Sequence, residues 1–246
     1  MTTWFLSDLH LRDSFERNGN ILLRFLFELN QNPSEHRLVL LGDIFDVWVS
    51  DGSVFAKKFQ LIVDEIIKLK NNGGDVVYFE GNHDVHMEKF WTKKFGIKVY
   101  QTEQLFDLGG LRVRVEHGDY INPADLKYFK WLEAMRGPFL TFLAHQVPGH
   151  IWNWLAEVYT KKITRRKTYR YTQEHMDRIR KMIRVYAESK AKAGDFDLIV
   201  TGHMHVFDDY LFEMNGRQVR SINLGTWLEK PRVLKIQNKI PQVVEL

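Results

Sequence analysis

The chain contains no cysteine among its 246 residues, which excludes disulfide bonds and metal sites built on thiolates. No stretch reaches the roughly 18 uncharged apolar residues that a membrane span requires. The N-terminus has neither a basic n-region nor a cleavable apolar segment. Hydrophobic residues at 44% and charged residues at 27% are ordinary globular values. We therefore expect a soluble, cytoplasmic chain without internal repeats or low-complexity stretches.

The net charge of +4 conceals an uneven distribution. Residues 161–192 hold twelve Lys/Arg and three Asp/Glu, a net of +9, so the rest of the chain sums to −5. A segment this basic indicates an anionic partner, such as a substrate phosphate, a lipid surface or nucleic acid, although a solvated helix face is the common alternative. Its position between two of the motifs described next favours the substrate.

Five short polar motifs each follow an apolar run that predicts a β-strand. Strands that alternate with helices bring such motifs together at their C-terminal ends. Carboxylate, amide and imidazole groups suit divalent ions such as manganese, iron or zinc. The motifs are Ser7-Asp8-Leu9-His10, Gly42-Asp43-Ile44-Phe45-Asp46, Gly81-Asn82-His83-Asp84, His117-Gly118-Asp119 and Gly202-His203-Met204-His205.

The pattern around these motifs predicts two sheets with flanking helices. Helical spacing marks Asn20–Leu29 and Val54–Leu69. After the last motif, Tyr210–Glu213, Gln218–Leu224 and Arg232–Ile236 indicate an antiparallel run that closes the second sheet. The strands predicted to deliver the five motifs are Thr3–Leu6, Leu38–Leu41, Asp75–Phe79, Leu111–Val115 and Leu198–Val200.

Residues 122–194 lack strand signals and show long helical patterns. We predict a helical cap in this segment, inserted into a core formed by residues 1–121 and 195–246, with Gly194 ending its last helix. The second half of the segment is the basic run. The first half is aromatic, with Tyr128, Phe129, Trp131, Phe139, Phe142, Trp152, Trp154 and Tyr159.

The order of the five motifs resembles that of the calcineurin-like metallophosphoesterases. The resemblance spans residues 7–205 and implies a four-layer αββα sandwich that hydrolyses phosphoester or phosphoanhydride bonds with two divalent metal ions, manganese first, iron or zinc otherwise. It implies that Asp43 bridges both ions. The other implied ligands are Asp8, His10 and His205 on one ion, and Asn82, His117 and His203 on the other.

The same resemblance implies roles beside the ligands. His83 faces the leaving group as an acid or hydrogen-bond donor, and the carboxylate of Asp46 orients it. Asp84 and Asp119 are expected to support the ligands. On an extended backbone, Asp8 and His10 would point to the same side. The remaining histidines match no motif and are expected to be structural: His36, His86, His145, His150 and His175.

Three further stretches are similar to the bacterial UDP-2,3-diacylglucosamine diphosphatases of lipid A synthesis: Gly42 to Asp51, His117 to Asp125 with Trp131, and Leu224 to Trp227. Those enzymes carry a helical cap in this position, which holds the acyl chains. The resemblance implies a UDP-linked glycolipid substrate, peripheral contact with an anionic membrane surface, and a contact of Asp125 with the sugar. The aromatic residues would line an acyl groove or form ordinary helix-packing core. The residues proposed to meet the diphosphate or the membrane are Lys161, Lys162, Arg165, Arg166, Lys167 and Arg170.

The sequence differs from this group of diphosphatases at His83, where those enzymes carry arginine. A histidine leaves room for ester substrates, because an alkoxide leaving group benefits from a general acid. The alternative function is a metallophosphoesterase that acts on a soluble nucleotide diphosphate or a phosphodiester. A non-catalytic scaffold would have lost ligands, whereas this set is complete. No nucleic-acid partner is expected, since no DNA-binding motif is present and an aromatic cap would obstruct a duplex. The oligomeric state is left open.

Overall fold

Two stacked sheets carry the site. The computed structural model describes residues 1–50, 53–148, 151–152, 154–155, 158 and 172–246. Among these, the strands are β1 (Thr2–Leu6), β2 (His36–Leu41), β3 (Trp48–Val49), β4 (Asp75–Phe79), β5 (Asp84–Val85), β6 (Lys98–Tyr100), β7 (Gln104–Asp107), β8 (Arg112–Val115), β9 (Leu198–Thr201), β10 (Asp208–Met214), β11 (Arg217–Asn223), β12 (Arg232–Gln237) and β13 (Ile240–Glu245). The helices are α1 (Arg17–Leu29), α2 (Ser53–Lys58), α3 (Gln60–Asn71), α4 (Glu88–Phe95), α5 (Leu126–Arg136), α6 (Pro138–Gln146) and α7 (Gln173–Ala193).

The larger sheet has six strands in the order β13-β12-β1-β2-β4-β6. Its strands β1, β2, β4 and β6 are parallel neighbours, while β12 pairs antiparallel with β1. The smaller sheet has five strands in the order β10-β11-β9-β8-β7, with β8, β9 and β11 parallel. In both sheets the parallel strands precede the polar motifs, so the motifs emerge at the C-terminal ends of strands.

The apolar core between the sheets draws on alternate residues of both, as strands packed face to face require. Phe5 and Val39 come from the larger sheet, and Val115 and Val200 from the smaller one, and all four are buried. The opposite face of the larger sheet packs against helices α1, α3 and α4. The fold is therefore a sandwich in which each sheet has one face inward and one face covered by helices, as predicted.

Helix α7 supplies the outer layer of the smaller sheet. Its buried Ala187 and Ala191 pack against Ile199 of β9 and Val219 of β11. The sequence analysis placed this helix within the cap at 122–194, whereas its C-terminal half lies on the sandwich. Gly194 follows the helix, as predicted. The division of the chain into core and cap stays a prediction.

Two predicted elements were wrong in detail. The helix expected over Val54–Leu69 is two helices, α2 and α3, which are separated at Phe59. The Phe59 side chain packs inward against Phe45, with ring centroids 4.6 Å apart. Strand β12 does not close the second sheet. It joins the free edge of β1 in the larger sheet, where Leu234 and Ile236 face the core between the sheets.

Within the described residues, each helix is too short or too polar to span a bilayer. The longest of them, α7, has 21 residues and carries charged side chains along its length.

Candidate metal centre

The loops after β1 and β2 are held side by side by backbone hydrogen bonds. The N–H of Asp8 donates to the carbonyl of Gly42 at 3.1 Å, and the N–H of His10 donates to the carbonyl of Asp43 at 3.0 Å. In the smaller sheet, the N–H of Gly202 donates to the carbonyl of His117 at 2.8 Å. These bonds continue the strand pairing past the ends of the strands, which sets the polar motifs next to one another.

Five of the seven predicted ligands have a left-handed backbone. The φ angles are 54° at Asp8, 49° at His10, 53° at Asp43, 66° at His203 and 56° at His205. This conformation is uncommon for residues other than glycine and clusters at functional sites. It also corrects the expectation of an extended backbone at Asp8 and His10: the two side chains converge through left-handed turns.

Gly42 is required by both its backbone and its surroundings. Its φ is +79°, and a Cβ at this position would lie 2.8 Å from Cγ of His117. Any side chain would displace the imidazole that the fourth motif delivers. The glycine therefore lets the second and fourth motifs approach each other across the two sheets.

The structure brings the predicted ligands into two groups that share Asp43. In the first, Nε2 of His10 lies 2.9 Å from Nε2 of His205, and Nε2 of His205 lies 3.2 Å from Oδ1 of Asp8. Oδ2 of Asp43 is 3.8 Å from Nε2 of His10 and 3.6 Å from Nε2 of His117. The ligand atoms of Asp8, His10, Asp43 and His205 form one group within 4.8 Å, and those of Asp43, His117 and His203 form another.

Asn82 completes the second group. Its Oδ1 lies 3.1 Å from Nδ1 of His203, whose backbone N–H donates to both carboxylate oxygens of Asp8. All seven predicted ligands are thus in one cluster. The partition between two ions that the sequence resemblance implies corresponds to the two groups, and the assignment of ligands stays a proposal.

The His117 side chain tests whether these residues suit a cation. Its Nδ1 donates a hydrogen bond to the carbonyl of Leu41 at 2.9 Å, so Nε2 is the nitrogen left to hold a proton or a metal ion. That Nε2 is buried without a hydrogen-bond partner among the described residues, and it faces Asp43. The contact between Nε2 and the Asp43 carboxylate is favourable only when positive charge, a proton or a cation, lies between the two atoms. The donor set therefore fits a divalent metal ion.

The pKa shifts in the cluster also indicate that positive charge is favoured beside Asp43. Burial opposes charge on the His117 imidazole, but Asp43 and Asp119 raise its pKa well above the usual value. Burial would likewise raise the pKa of Asp43, yet the neighbouring His117 and His83 lower it well below its usual range. At His10, burial wins and lowers the pKa to about 4, which favours a neutral imidazole able to bind metal.

His83 and Asp46 are in contact, although through a different atom from the one predicted. Nδ1 of His83 lies 2.7 Å from the carbonyl oxygen of Asp46 and 4.0 Å from its carboxylate. The Asp46 carboxylate accepts a hydrogen bond from Nε of Arg12 at 3.3 Å. The backbone carbonyl is therefore the closer orienting group. The ring of His83 lies against that of His10, with centroids 4.7 Å apart.

Asp84 fastens the second and third motifs to the sheet. It is fully buried, and its carboxylate accepts the backbone N–H groups of Asp43, Ile44 and Gly81. It also accepts the hydroxyl of Tyr78 at 2.6 Å. These four bonds hold the loops that carry Asp43 and Asn82, and the sequence analysis missed the part of Tyr78.

The segment Leu224–Trp227 supports the first motif from behind. The Thr226 hydroxyl donates to the carbonyl of Asp8 at 2.9 Å, and the N–H of Trp227 donates to the same oxygen at 3.2 Å. Trp227 is buried and donates its indole N–H to the carbonyl of Arg232. These hydrogen bonds give a structural role to a segment that the sequence analysis identified only by resemblance.

Residues of α5, which lie in the predicted cap, reach the cluster. Asp125 is exposed and caps this helix, accepting the N–H of Tyr128 at 3.0 Å; its sugar contact stays a prediction. The Tyr128 ring lies against His203, with centroids 5.4 Å apart. Tyr159 and the six basic residues from Lys161 to Arg170 lie outside the described residues.

An apolar groove of about 680 Å³ opens beside the fourth motif. It runs between the segment 120–123 and one face of α7. The N–H of Ile121 donates to the carbonyl of Gly118, which joins the groove wall directly to the motif that carries His117. Its apolar lining includes Ile121, Pro123, Ile179, Met182, Val185 and Tyr186, with Arg178 and Lys181 also in the wall.

The sandwich and its cluster of carboxylate, amide and imidazole groups define a metal-dependent phosphoesterase. The family profile for calcineurin-like phosphoesterases matches residues 1–207, and the chain belongs to that family. It is a metal-dependent hydrolase of phosphoester or phosphoanhydride bonds.

Three curated relatives resemble the chain over almost its whole length. A protein of Vibrio atlanticus is 28% identical over 248 residues, covering 100% of this chain and 96% of its own. One of Stenotrophomonas maltophilia is 27% identical (96% and 95% covered), and one of Aliivibrio fischeri is 26% identical (98% and 96% covered). Each is named UDP-2,3-diacylglucosamine hydrolase.

Proposed function

We propose that this chain hydrolyses the diphosphate of UDP-2,3-diacylglucosamine to UMP and 2,3-diacylglucosamine 1-phosphate. The observation that carries the proposal is the end-to-end likeness to relatives named for hydrolysis of that lipid, which includes the cap as well as the metal motifs. The family alone leaves the substrate open, whereas the cap is the part of the chain that a lipid substrate explains.

We assign Asp8, His10, Asp43 and His205 to one ion, and Asp43 with Asn82, His117 and His203 to the other. Mixed nitrogen and oxygen ligands without thiolate favour manganese, with iron or zinc as alternatives. Two divalent ions, when bound, activate water for attack on phosphorus and neutralise charge on the phosphoryl oxygens.

His83 serves the leaving group. Its Nδ1–H donates to the Asp46 carbonyl at 2.7 Å, so Nε2 is the atom that holds and delivers a proton. Hydrolysis of the diphosphate expels a phosphate monoester whose second pKa is about 6, and that group needs no proton to leave. On this substrate His83 acts mainly as a hydrogen-bond donor, a role that arginine also fills.

The acyl chains are proposed to enter the apolar groove between residues 120–123 and α7, where Arg178 and Lys181 accompany the apolar lining. The cap also exposes apolar side chains to solvent, including Trp131 at 44%, Phe139 at 72% and Phe142 at 61%. An exposed apolar surface of this kind marks an interaction site. It supports peripheral contact with the membrane, and we place the protein at the cytoplasmic face of the inner membrane.

A second candidate is a metallophosphoesterase that acts on a soluble nucleotide diphosphate or a phosphodiester. His83 favours the phosphodiester, because a histidine general acid assists the departure of an alkoxide more than that of a phosphate. The two candidates share the metal centre and differ only in what the cap recognises.

The decisive experiment compares three substrates with manganese-loaded protein: UDP-2,3-diacylglucosamine, a UDP-sugar without acyl chains, and bis(p-nitrophenyl) phosphate. Strong UMP release from the acylated substrate alone is the expected result. Equal turnover of the acylated and unacylated UDP-sugars would favour the soluble nucleotide diphosphate. Cleavage of the diester alone would mean that the metal site serves a phosphodiester.

A further inference from the structure

Asp119 touches both imidazoles that we assign to the second ion. It follows His117 by two residues, and its side chain is buried. Its Oδ1 lies 4.0 Å from Nε2 of His117 and 3.8 Å from Nδ1 of His203. A carboxylate so near two ligand nitrogens affects their orientation and the field at the ion, so its own position has to be controlled.

Helix α5 of the cap controls that position. The Tyr128 hydroxyl donates to Oδ1 of Asp119 at 2.7 Å, and Nη2 of Arg136 donates to Oδ2 at 2.9 Å. Each oxygen thus receives one donor, and the two donors come from opposite ends of the same helix. Eight positions separate them, a spacing that keeps them near one face of a helix.

These two hydrogen bonds are largely shielded from solvent. The side chains of Arg136 and Asp119 are 12% and 5% exposed. Charge-assisted hydrogen bonds are stronger than neutral ones, and a low local dielectric strengthens them further. Nη2 of Arg136 also donates to the Glu80 carbonyl at 3.3 Å, immediately before the third motif, so the same side chain contacts two metal-site loops.

We propose that Tyr128 and Arg136 are positioning residues, which hold Asp119 against His117 and His203 so that the affinity of the second divalent ion depends on the seating of the cap helix α5. The inference rests on the dinuclear site of the proposed function and deepens it: the cap acts on metal occupancy in addition to its part in substrate recognition. It requires no particular substrate.

The alternative is that the Tyr128–Asp119–Arg136 contacts only fasten α5 to the core. Metal affinity separates the two, because a fastening role would loosen the cap without discriminating between the ions. The test is therefore the binding of Mn²⁺ itself, followed by titration calorimetry and by the electron paramagnetic resonance signal of a coupled manganese pair.

Tyr128→Phe removes one hydroxyl and keeps the ring against His203. We expect the dissociation constant of one Mn²⁺ site to rise about 10-fold or more, because Asp119 loses a donor that holds it beside two ligands, while the other site changes less than twofold. The coupled-pair signal should appear only at correspondingly higher Mn²⁺. The matched control is Tyr210→Phe, which removes a similar bond, 2.8 Å to Oε1 of Glu188, elsewhere on the surface.

Arg136→Gln and Arg136→Lys provide a second pair of variants. The glutamine variant loses the charge and should weaken the second site, while the lysine variant keeps a cation beside Asp119 and should restore part of the affinity. Thermal unfolding of the metal-free proteins reports whether each variant folds. A variant that fails to fold is replaced by the other member of its pair.

Dissociation constants within twofold of those of the parent protein would overturn the proposal, and so would equal weakening of both sites. A parent protein that binds a single Mn²⁺ would refute the dinuclear site itself. A parent that binds two ions, loses one selectively in Tyr128→Phe, and yet releases no UMP would support the inference and refute the proposed substrate.

Discussion

The Nε2 atoms of His10 and His205 lie 2.9 Å apart, although 195 residues separate them in the chain. His10 follows β1 of the larger sheet and His205 follows β9 of the smaller one, so the contact joins loops from the two sheets. Two imidazole nitrogens at this distance need a proton or a cation between them. The metal site is therefore also a link between the two sheets.

Replacement of Asp43 tests its place in both ligand groups. Asp43→Ala removes the carboxylate that His10 and His117 both face, and we expect metal content to fall from two ions to one or none. Turnover should drop at least about 10²-fold, because both ions lose a ligand. Metal analysis of the purified protein and steady-state kinetics check this. Asp209→Ala, which breaks only the pair with Arg220, is the control and should keep both ions. Retention of two ions by Asp43→Ala would refute the assignment.

Substitution of His83 tests its role as a proton donor. His83→Gln keeps a hydrogen-bond donor but has no acidic proton, so hydrolysis of an alkyl phosphodiester should fall about 10²-fold or more. Hydrolysis of the diphosphate should fall less than about tenfold, because its leaving group needs no proton. His83→Arg is the matched variant and should retain the diphosphate activity. Equal losses on both substrates would argue against a general acid at this position.

Asp84 is expected to contribute to stability through its four hydrogen bonds. Asp84→Asn presents an amide N–H₂ where the carboxylate accepted donors, which leaves the N–H of Ile44 or of Gly81 and Asp43 without an acceptor. The cost should be about 1–3 kcal/mol in the free energy of unfolding, measured by urea denaturation. Tyr78→Phe removes a single donor and should cost less. An unchanged midpoint in Asp84→Asn would contradict the tethering role.

His86 predicts an acid-sensitive fold. It is 2% exposed, and neither ring nitrogen has a hydrogen-bond partner among the described residues. Burial, followed by the charge of His145, lowers its pKa to about 4 from the ordinary 6.5. Between pH 6.5 and pH 4 the His86 side chain therefore takes up a proton in the unfolded chain but not in the folded chain. The contribution of His86 to the free energy of unfolding falls as the pH drops through this range, and it is constant below pH 4.

The His86→Asn variant isolates this effect. Asparagine is neutral and tolerates the left-handed φ of 59° at this position. Between pH 7.5 and pH 4.5 the parent should lose on the order of 2 kcal/mol more than the variant. Unfolding at pH 7.5, where His86 is neutral in both states, gives the cost of the substitution itself. Parallel pH profiles would show that His86 takes no part.

The apolar groove predicts a specific loss of affinity for the acylated substrate. Val185 lines the groove and is 56% exposed, so Val185→Glu places a charge there without disturbing the core. We expect KM for the acylated UDP-sugar to rise about tenfold or more, with little change for bis(p-nitrophenyl) phosphate. Leu105→Glu, on a strand outside the groove at 59% exposure, is the control. An unchanged KM would place the acyl chains elsewhere.

The sequence predicted the candidate ligands and the strands that deliver them. Asp8, Asp43, Asn82, His117 and His203 all follow predicted strands, because the alternation of apolar runs and polar motifs is a local property. The layered architecture also followed, since apolar strands that alternate with amphipathic helices need covering on both faces.

Only the tertiary structure decided how these parts meet. The left-handed turns, the carbonyl contact between Asp46 and His83, and the placement of β12 beside β1 depend on neighbours that are distant in sequence. Tyr128 was predicted as an apolar groove or core residue, and Arg136 was not singled out at all. Both side chains contact Asp119 because α5 packs over the fourth motif. This contact depends on the tertiary fold, so the local sequence around either residue could not predict it.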